Sequence, residues 1–188
     1  MALRRLLGIT AFLSTALLAQ IPREAPDLLL TDTTGRLIQL STLRGKAVVM
    51  EFMLTTCPHC QDTARMLSRL AQEYGPQGLQ VIGVAFDGDA RRTAPVFAQE
   101  NQLAYPLAVL SPEKVYEFAQ LSAMLRHSVP ILVFIDRQGK IRSQFTGDAP
   151  FFQNEEANLR AKIHELLKER HLKATGGPRR TATSRELP

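Results

Sequence analysis

Three apolar runs along the chain have the length of buried β-strands. They cover residues 47–54, 79–86 and 131–136, and each is bounded by glycine, proline or polar residues. Between them, apolar residues recur at the spacing of amphipathic helices. A strand that is apolar along its whole length is typical of the centre of a sheet that helices cover on both faces. The pattern therefore predicts an α/β fold in which a mixed central sheet lies between two helical layers.

Shorter elements complete this prediction. Residues 28–32 and 36–40 flank a turn at Thr33-Thr34-Gly35, which indicates a hairpin added before the first long strand. A short strand is predicted over residues 107–110, and residues 141–145 are expected to pair back on the last long strand. Helices are predicted over about residues 58–75, 92–101, 112–124 and 155–170. Pro95 should lie in the first turn of the helix at 92–101. The helix at 155–170 should bury Ala157, Ile163, Leu166 and Leu167.

The two ends of the chain differ from the rest in composition. Residues 1–20 join Arg4 and Arg5 to an apolar stretch that is short for a membrane span, which is typical of a secretory signal peptide. An N-terminal membrane anchor that is not cleaved is the alternative. Residues 173–188 hold few apolar residues, so a disordered basic tail is expected there. Residues 25–172 then form one folded domain.

The net charge of +5 comes from these ends. Residues 1–20 contribute two positive charges and residues 173–188 contribute a net three, so residues 21–172 are neutral. The isoelectric point of about 9.6 is therefore no indication of nucleic acid binding. We expect no nucleic acid partner, and nothing in the composition predicts a stable oligomer.

The only two cysteines of the chain lie where the first long strand gives way to a helix, in the sequence Cys57-Pro58-His59-Cys60. The unpaired N–H groups and the partial positive charge of a helix N-terminus favour a thiolate at Cys57. Pro58 suits the first helical position, and His59 adds positive charge when it is protonated. Because thiolates carry out disulfide exchange, Cys57 is the candidate attacking residue and Cys60 the candidate resolving residue.

A cysteine pair can also hold zinc or form a structural disulfide. A structural zinc site needs four ligands, and the sequence has no second cysteine pair and no histidines at paired ligand spacing. A purely structural disulfide between residues three apart would constrain very little chain. Redox chemistry is therefore the interpretation that the pair favours.

The order of elements and several short motifs resemble the thioredoxin fold, and more narrowly the TlpA-like branch of exported thiol–disulfide oxidoreductases within the redoxin group, which is related to the AhpC/TSA proteins. The resemblance spans about residues 25–172. The motifs that carry it are Ala25-Pro26-Asp27, residues 40–46, the Cys57–Cys60 motif, Val129-Pro130 and residues 134–141.

This resemblance implies roles for three further residues. Pro130 is expected to form a cis peptide bond opposite the cysteines, which would leave the backbone of Val129 free to pair with an extended substrate. Glu51 matches the buried acid of thioredoxins, whose pKa burial should raise, and it could relay a proton to or from Cys60. An exposed Glu51 at a sheet edge is the alternative. The sequence departs from many thioredoxins in having no tryptophan.

The predicted function is thiol–disulfide exchange with exported protein substrates, outside the cytoplasm and without a cofactor. An upstream redox partner, such as a membrane electron donor, is implied. One alternative is a thiol peroxidase, although Leu54 and Met50 occupy positions where peroxiredoxins place a hydroxyl residue and a proline. Another is a copper- or haem-assembly protein, for which His127 is the distal histidine nearest in sequence to Val129-Pro130.

Overall fold

The computed structural model describes residues 21–168. It contains eight β-strands and four α-helices within that range. The strands are β1 (Arg23–Glu24), β2 (Leu29–Thr31), β3 (Leu37–Gln39), β4 (Ala47–Met53), β5 (Leu79–Ala85), β6 (Leu107–Val109), β7 (Ile131–Ile135) and β8 (Lys140–Phe145). The helices are α1 (Pro58–Tyr74), α2 (Ala90–Glu100), α3 (Pro112–Ala119) and α4 (Glu155–Lys168).

Six of the strands form one mixed sheet in the order β1-β8-β7-β4-β5-β6. Strands β4, β5 and β6 are parallel to one another, whereas β7 pairs antiparallel with both β4 and β8. Strands β2 and β3 pair antiparallel in a separate hairpin. The predicted mixed central sheet and the added hairpin are therefore both confirmed.

Successive side chains of the fully buried strand β4 lie on opposite faces of the sheet. Val48, Met50 and Phe52 share one apolar core with the hairpin and α3. Val49 packs on the opposite face with residues of α1 and α4. Glu51 alternates with Met50 and Phe52, so it lies on the face that α1 and α4 cover. This is the face that also receives the side chain of Cys60.

Two predicted helix boundaries are wrong. Helix α2 begins at Ala90, because the N–H groups of its first residues already donate to the carbonyls of Asp87 and Asp89. This places Pro95 inside the helix. Helix α3 ends at Ala119 and not near Met124, because Gln120 takes a left-handed conformation with φ of 51°. The backbone from Gln120 onward therefore leaves the helix and exposes Met124 to solvent.

The predicted buried side of α4 needs one correction. Ile163 and Leu166 are buried as expected and Leu167 packs against the same core, but Ala157 is exposed and Leu159 is buried instead. Residues 159, 163 and 166 follow helical spacing, whereas residue 157 lies two positions before this stripe and faces away from it. The short strand β1, which joins the sheet through β8, was not predicted.

The ends of the predicted domain plan lie outside the described residues. This applies to the signal peptide or anchor at residues 1–20, to the basic tail at residues 173–188 and to the end of the last predicted helix. Among residues 21–168, no helix combines the length and the apolar character that crossing a membrane requires.

Candidate active site

Cys57 lies at the N-cap of α1, at the predicted junction between β4 and the helix. Its backbone is extended, with φ of −86° and ψ of 117°, and Pro58 occupies the first helical position. The backbone N–H of Cys60 donates to Sγ of Cys57 over 3.2 Å. Cys57 is partly exposed, so its sulfur combines access to solvent with a hydrogen bond from the helix N-terminus. An incoming reactant can therefore approach this residue from solvent.

Cys60 has the opposite environment. It is fully buried in a small apolar cluster with Met53, Ala64 and Phe97, and both cysteines are free thiols. Burial raises the pKa of Cys60 strongly, and the hydrogen bond with Cys57 and the negative charge of Glu51 add to that rise. Cys60 is therefore held as a neutral thiol behind the partly exposed Cys57.

Glu51 is completely buried in the middle of β4, so the alternative of an exposed edge position is wrong. The hydroxyl of Tyr105 donates a hydrogen bond to Oε2 of Glu51 over 3.0 Å. Within the described residues, Oε1 has no hydrogen-bond partner. Burial raises the pKa of Glu51 well above its usual range, the Tyr105 hydrogen bond opposes this, and the charge of Glu155 adds to it. The direction agrees with the sequence-based expectation.

Sequence reasoning missed Tyr105, which lies just before β6 and is itself buried. Gly83 of β5 is the partner of Glu51 in the sheet register. A Cβ on Gly83 would lie 3.1 Å from the Tyr105 ring and 2.8 Å from Leu107, so the missing side chain makes room for the phenol beside Glu51. The sequence does contain a signal for this contact, because glycine inside a buried strand often marks a close approach.

His59 faces the start of α4. Its Nε2 lies 3.4 Å from Oε2 of Glu155, and its ring packs edge-on against Phe152 with 4.9 Å between ring centroids. The hydroxyl of Thr63 donates to Oε1 of Glu155 over 2.6 Å, which holds the carboxylate in place. A protonated His59, two residues after Cys57, thus has a fixed counter-charge in Glu155.

A second polar network fixes the loop that carries Cys57. The carboxylate of Asp87 accepts hydrogen bonds from the backbone N–H of Thr55 over 2.8 Å and from its hydroxyl over 3.0 Å. The hydroxyl of Thr93 also donates to Asp87, over 3.2 Å. Sequence reasoning missed this role of Asp87, which comes two residues after the end of β5. The network ties the β4–α1 loop to the start of α2.

The peptide bond between Val129 and Pro130 is cis, as expected. Val129 is partly buried and packs against the apolar cluster that contains Cys60. Cys57 packs against the same cluster. The N–H of Gly147 donates to the carbonyl of Ser128 over 2.9 Å, which links this loop to the chain after β8. The structure therefore brings the cis-proline loop and the cysteine pair to one site.

His127 is engaged elsewhere. Its Nε2 lies 2.8 Å from the carbonyl oxygen of Ser122, and its ring packs against Tyr116 with 5.6 Å between centroids. Over residues 21–168, no three histidine, cysteine or acidic side chains are grouped closely enough to hold a metal ion.

Comparison with known proteins shows the family to which this chain is related. Residues 21–144 match the AhpC/TSA family. The thiol–disulfide oxidoreductase ResA of Bacillus thuringiensis is 29% identical over 130 residues, which are 69% of this chain and 71% of that protein. ResA of Geobacillus kaustophilus is 28% identical over 138 residues, or 73% of this chain and 76% of that protein.

Solved structures give the same fold. A candidate protein disulfide isomerase from Bacteroides thetaiotaomicron is 26% identical, with a TM-score of 0.66 over 81% of this chain and 92% of that one. A DsbE-like thiol:disulfide interchange protein from Chlorobium tepidum is 24% identical, with a TM-score of 0.65 over 78% of this chain and 96% of that one. The predicted thioredoxin-like α/β/α sandwich is thus confirmed, and the chain is a thiol–disulfide oxidoreductase that belongs to the AhpC/TSA family.

Proposed function

We propose that this protein exchanges disulfides with protein substrates outside the cytoplasm, with Cys57 as the attacking thiol and Cys60 as the resolving thiol. One observation carries the assignment of roles. Cys57 is partly exposed and accepts a hydrogen bond at the start of α1, whereas Cys60 is fully buried directly behind it. A substrate sulfur can reach only Cys57 without a rearrangement of the site.

The first step forms a mixed disulfide. The Cys57 thiolate attacks one sulfur of a substrate disulfide, a bond forms between Cys57 and that sulfur, and the other substrate sulfur leaves as a thiolate. In the second step Cys60 loses its proton and attacks Sγ of Cys57. The bond between Cys57 and the substrate breaks, the second substrate thiolate leaves, and the protein holds the Cys57–Cys60 disulfide. Two electrons thus pass from the protein to the substrate. When the protein oxidises a dithiol substrate, the same two steps run in reverse.

Glu51 handles the proton of the second step in this proposal. Cys60 is too buried to lose its proton directly to solvent, and its raised pKa makes unassisted ionisation slow. Glu51 is a buried acid whose charge acts on Cys60, and its ionised carboxylate can accept the thiol proton. In the reverse direction the neutral acid returns the proton to the Cys60 thiolate.

Val129 provides the docking edge for the substrate. The residue lies just before β7, so its backbone can pair with an extended peptide in the manner of an added strand. Its side chain packs against the cluster that contains Cys60, which holds this edge next to the cysteines. Such pairing recognises backbone rather than a particular side chain, and it suits exchange with many unfolded or flexible substrates.

The extracytoplasmic location rests on the signal-like composition of residues 1–20, with an uncleaved anchor as the alternative form. Residues 25–172 form the folded unit in this proposal and residues 173–188 a basic tail. An exported dithiol meets an oxidising environment, so it needs a redox partner that resets Cys57 and Cys60 after each turnover. Thiols of protein substrates and of that partner are the expected reactants.

The experiment uses a short synthetic peptide closed by one disulfide and the fully reduced protein. The wild-type protein should release the reduced peptide and end with the Cys57–Cys60 disulfide. Cys60→Ser should accumulate a covalent adduct of protein and peptide, located at Cys57 by mass spectrometry of the digest. Cys57→Ser is the matched control and should form no adduct. An adduct located at Cys60, or no reduced peptide from the wild type, would overturn the proposal.

A further inference from the structure

We infer that Tyr105 is the positioning residue of Glu51. Its hydroxyl donates a hydrogen bond to Oε2 of the carboxyl group, which leaves Oε1 as the oxygen that exchanges a proton with Cys60. The inference rests on the proposed function, since it deepens the role of Glu51 in the resolving step. It adds a residue that lies 54 positions away in the sequence and outside every motif described for the family resemblance.

The two oxygens of Glu51 have different surroundings. Oε2 accepts the Tyr105 hydroxyl at 3.0 Å, while Oε1 is buried and has no partner among residues 21–168. The Tyr105 oxygen also lies 3.5 Å from the carbonyl oxygen of Ala64, and the shorter distance makes Glu51 its main acceptor. With Oε2 engaged as an acceptor, the proton of the neutral acid resides on Oε1. A carboxyl group fixed in this way exchanges its proton at one oxygen only.

Three elements of the fold form this contact. Glu51 projects from β4, its register partner Gly83 on β5 leaves space, and Tyr105 enters that space from the segment before β6. Ala64, the second group near the Tyr105 hydroxyl, lies one turn beyond Cys60 on α1. The phenol therefore lies beneath the helix face that carries the resolving cysteine.

The charged and titratable groups that act on Glu51 come from every element packed against it. Tyr105 stabilises the carboxylate through its hydrogen bond, whereas Glu155 at the start of α4 opposes ionisation through its negative charge. Cys60 on α1 is the group that Glu51 influences in turn. Of these groups only Tyr105 holds the carboxyl group by a direct hydrogen bond.

Tyr105 acts in the resolving step without taking part in the proton transfer. Cys60 transfers its proton to Oε1 of the ionised Glu51 as its sulfur attacks Sγ of Cys57, the bond between Cys57 and the substrate sulfur breaks, and that sulfur leaves with the electron pair. Tyr105 neither gains nor loses a proton. It keeps the carboxylate ionisable inside an apolar site and keeps its free oxygen in one orientation.

The test follows the two steps separately in one reaction. An aromatic disulfide that releases one coloured thiolate when Cys57 attacks, and a second when Cys60 resolves, is mixed with the reduced full-length protein over a range of pH. Tyr105→Phe should leave the first phase unchanged. The pH at which the second phase reaches half its maximal rate should move upward by about one unit, because a hydrogen bond to the ionised form is lost.

Tyr74→Phe is the matched control, since it removes another buried phenol whose hydroxyl accepts from Arg160 at 3.1 Å, outside the site. It should leave both phases unchanged. In a Glu51→Gln background, Tyr105→Phe should have no further effect on the second phase. The inference is overturned if Tyr105→Phe leaves the second-phase pH profile at its wild-type position, or if its effect persists without the Glu51 carboxylate. An unchanged second phase in Glu51→Gln alone would instead contradict the proton role of Glu51 in the proposed function.

Discussion

Gly147 packs directly against the carbonyl group of Val129. A Cβ at position 147 would collide with the Val129 oxygen and lie 3.2 Å from the nitrogen of Pro130. The N–H of Gly147 also donates to the carbonyl of Ser128. The absence of a side chain at this position therefore sets the path of the backbone that we propose as the docking edge for substrates.

Gly147→Ala should displace the Val129 backbone, because the obstructing atoms belong to the main chain and cannot move aside as a flexible side chain would. We expect weaker binding of the disulfide peptide and a loss of stability of about 1–3 kcal/mol. Alkylation of Cys57 by a small reagent should proceed at its normal rate. Gly88→Ala is the control, since nothing lies within 4 Å of a Cβ there. Unchanged peptide exchange in Gly147→Ala would argue against docking at Val129.

The two cysteines should differ sharply in reactivity. At neutral pH, a small alkylating reagent should modify Cys57 at least about tenfold faster than Cys60, because Cys57 is partly exposed and Cys60 is a buried thiol with a raised pKa. Mass spectrometry of the digested protein after short reaction times measures both rates. In Cys57→Ser, Cys60 should stay unmodified until the protein unfolds. Faster labelling of Cys60 would reverse the assigned roles.

Local sequence patterns predicted the elements that form the catalytic motif. The apolar run of β4, the proline after Cys57 and the helical spacing beyond it are all properties of neighbouring residues, so the strand–helix junction could be placed correctly. The buried state of Glu51 was expected from the resemblance to thioredoxins, which carry a buried acid at the matching position. The end of α3 was misplaced because Gln120, not a glycine, adopts the left-handed conformation that stops the helix.

The contacts that surround this motif depend on residues far apart in the sequence. Tyr105 meets Glu51 only because the β4–β5 register places Gly83 beside the acid. Glu155 meets Thr63 across 92 residues, because α4 packs next to α1. Gly83 signals a close approach within β5, but no local pattern identifies the partners, which depend on the sheet register and the helix packing.

Asp87 should be important for the shape of the loop before Cys57. Asp87→Ala removes the acceptor of the Thr55 N–H and hydroxyl, and Thr55 is 8% exposed, so the backbone donor would be left without a partner. We expect a loss of about 1–3 kcal/mol of stability and slower attack by Cys57. Chemical denaturation and the first phase of the aromatic disulfide reaction measure the two effects. Asp89→Ala, at an exposed position two residues further, is the control and should change neither.

The pKa of Glu51 predicts a pH dependence of stability. Folding raises this pKa through burial, so the folded protein retains the proton to a higher pH than the unfolded chain does. The resulting stabilisation is complete below the unfolded pKa of glutamate, about 4.3, and is lost as the pH rises through the folded value. Glu51→Gln removes this dependence and should be more stable than the wild type at neutral and alkaline pH. The difference, measured as the shift in melting temperature, should shrink toward pH 4.

The redox potential depends on how the charge of His59 is balanced. A positive charge near Cys57 stabilises its thiolate, which favours the reduced form and makes the disulfide more oxidising. Glu155 opposes this, because its carboxylate lies 3.4 Å from Nε2 of His59 and is held there by Thr63. The Pro-His dipeptide alone indicates an oxidising protein, whereas the nearby carboxylates of Glu155 and Glu51 favour a reductant. We therefore expect an intermediate potential, near −200 mV to within about 40 mV, between those of thioredoxin and of a strong oxidase.

Equilibration with glutathione measures this balance. His59→Ala should lower the potential by about 30 mV or more, equivalent to about 1.4 kcal/mol for two electrons. Glu155→Gln should raise the potential, because it removes a negative charge from beside His59. Glu156→Gln is the charge-matched control, since its carboxylate pairs with Arg69 and Arg160 instead. If Glu155→Gln and Glu156→Gln shifted the potential equally, the His59–Glu155 pair would have no special part in setting it.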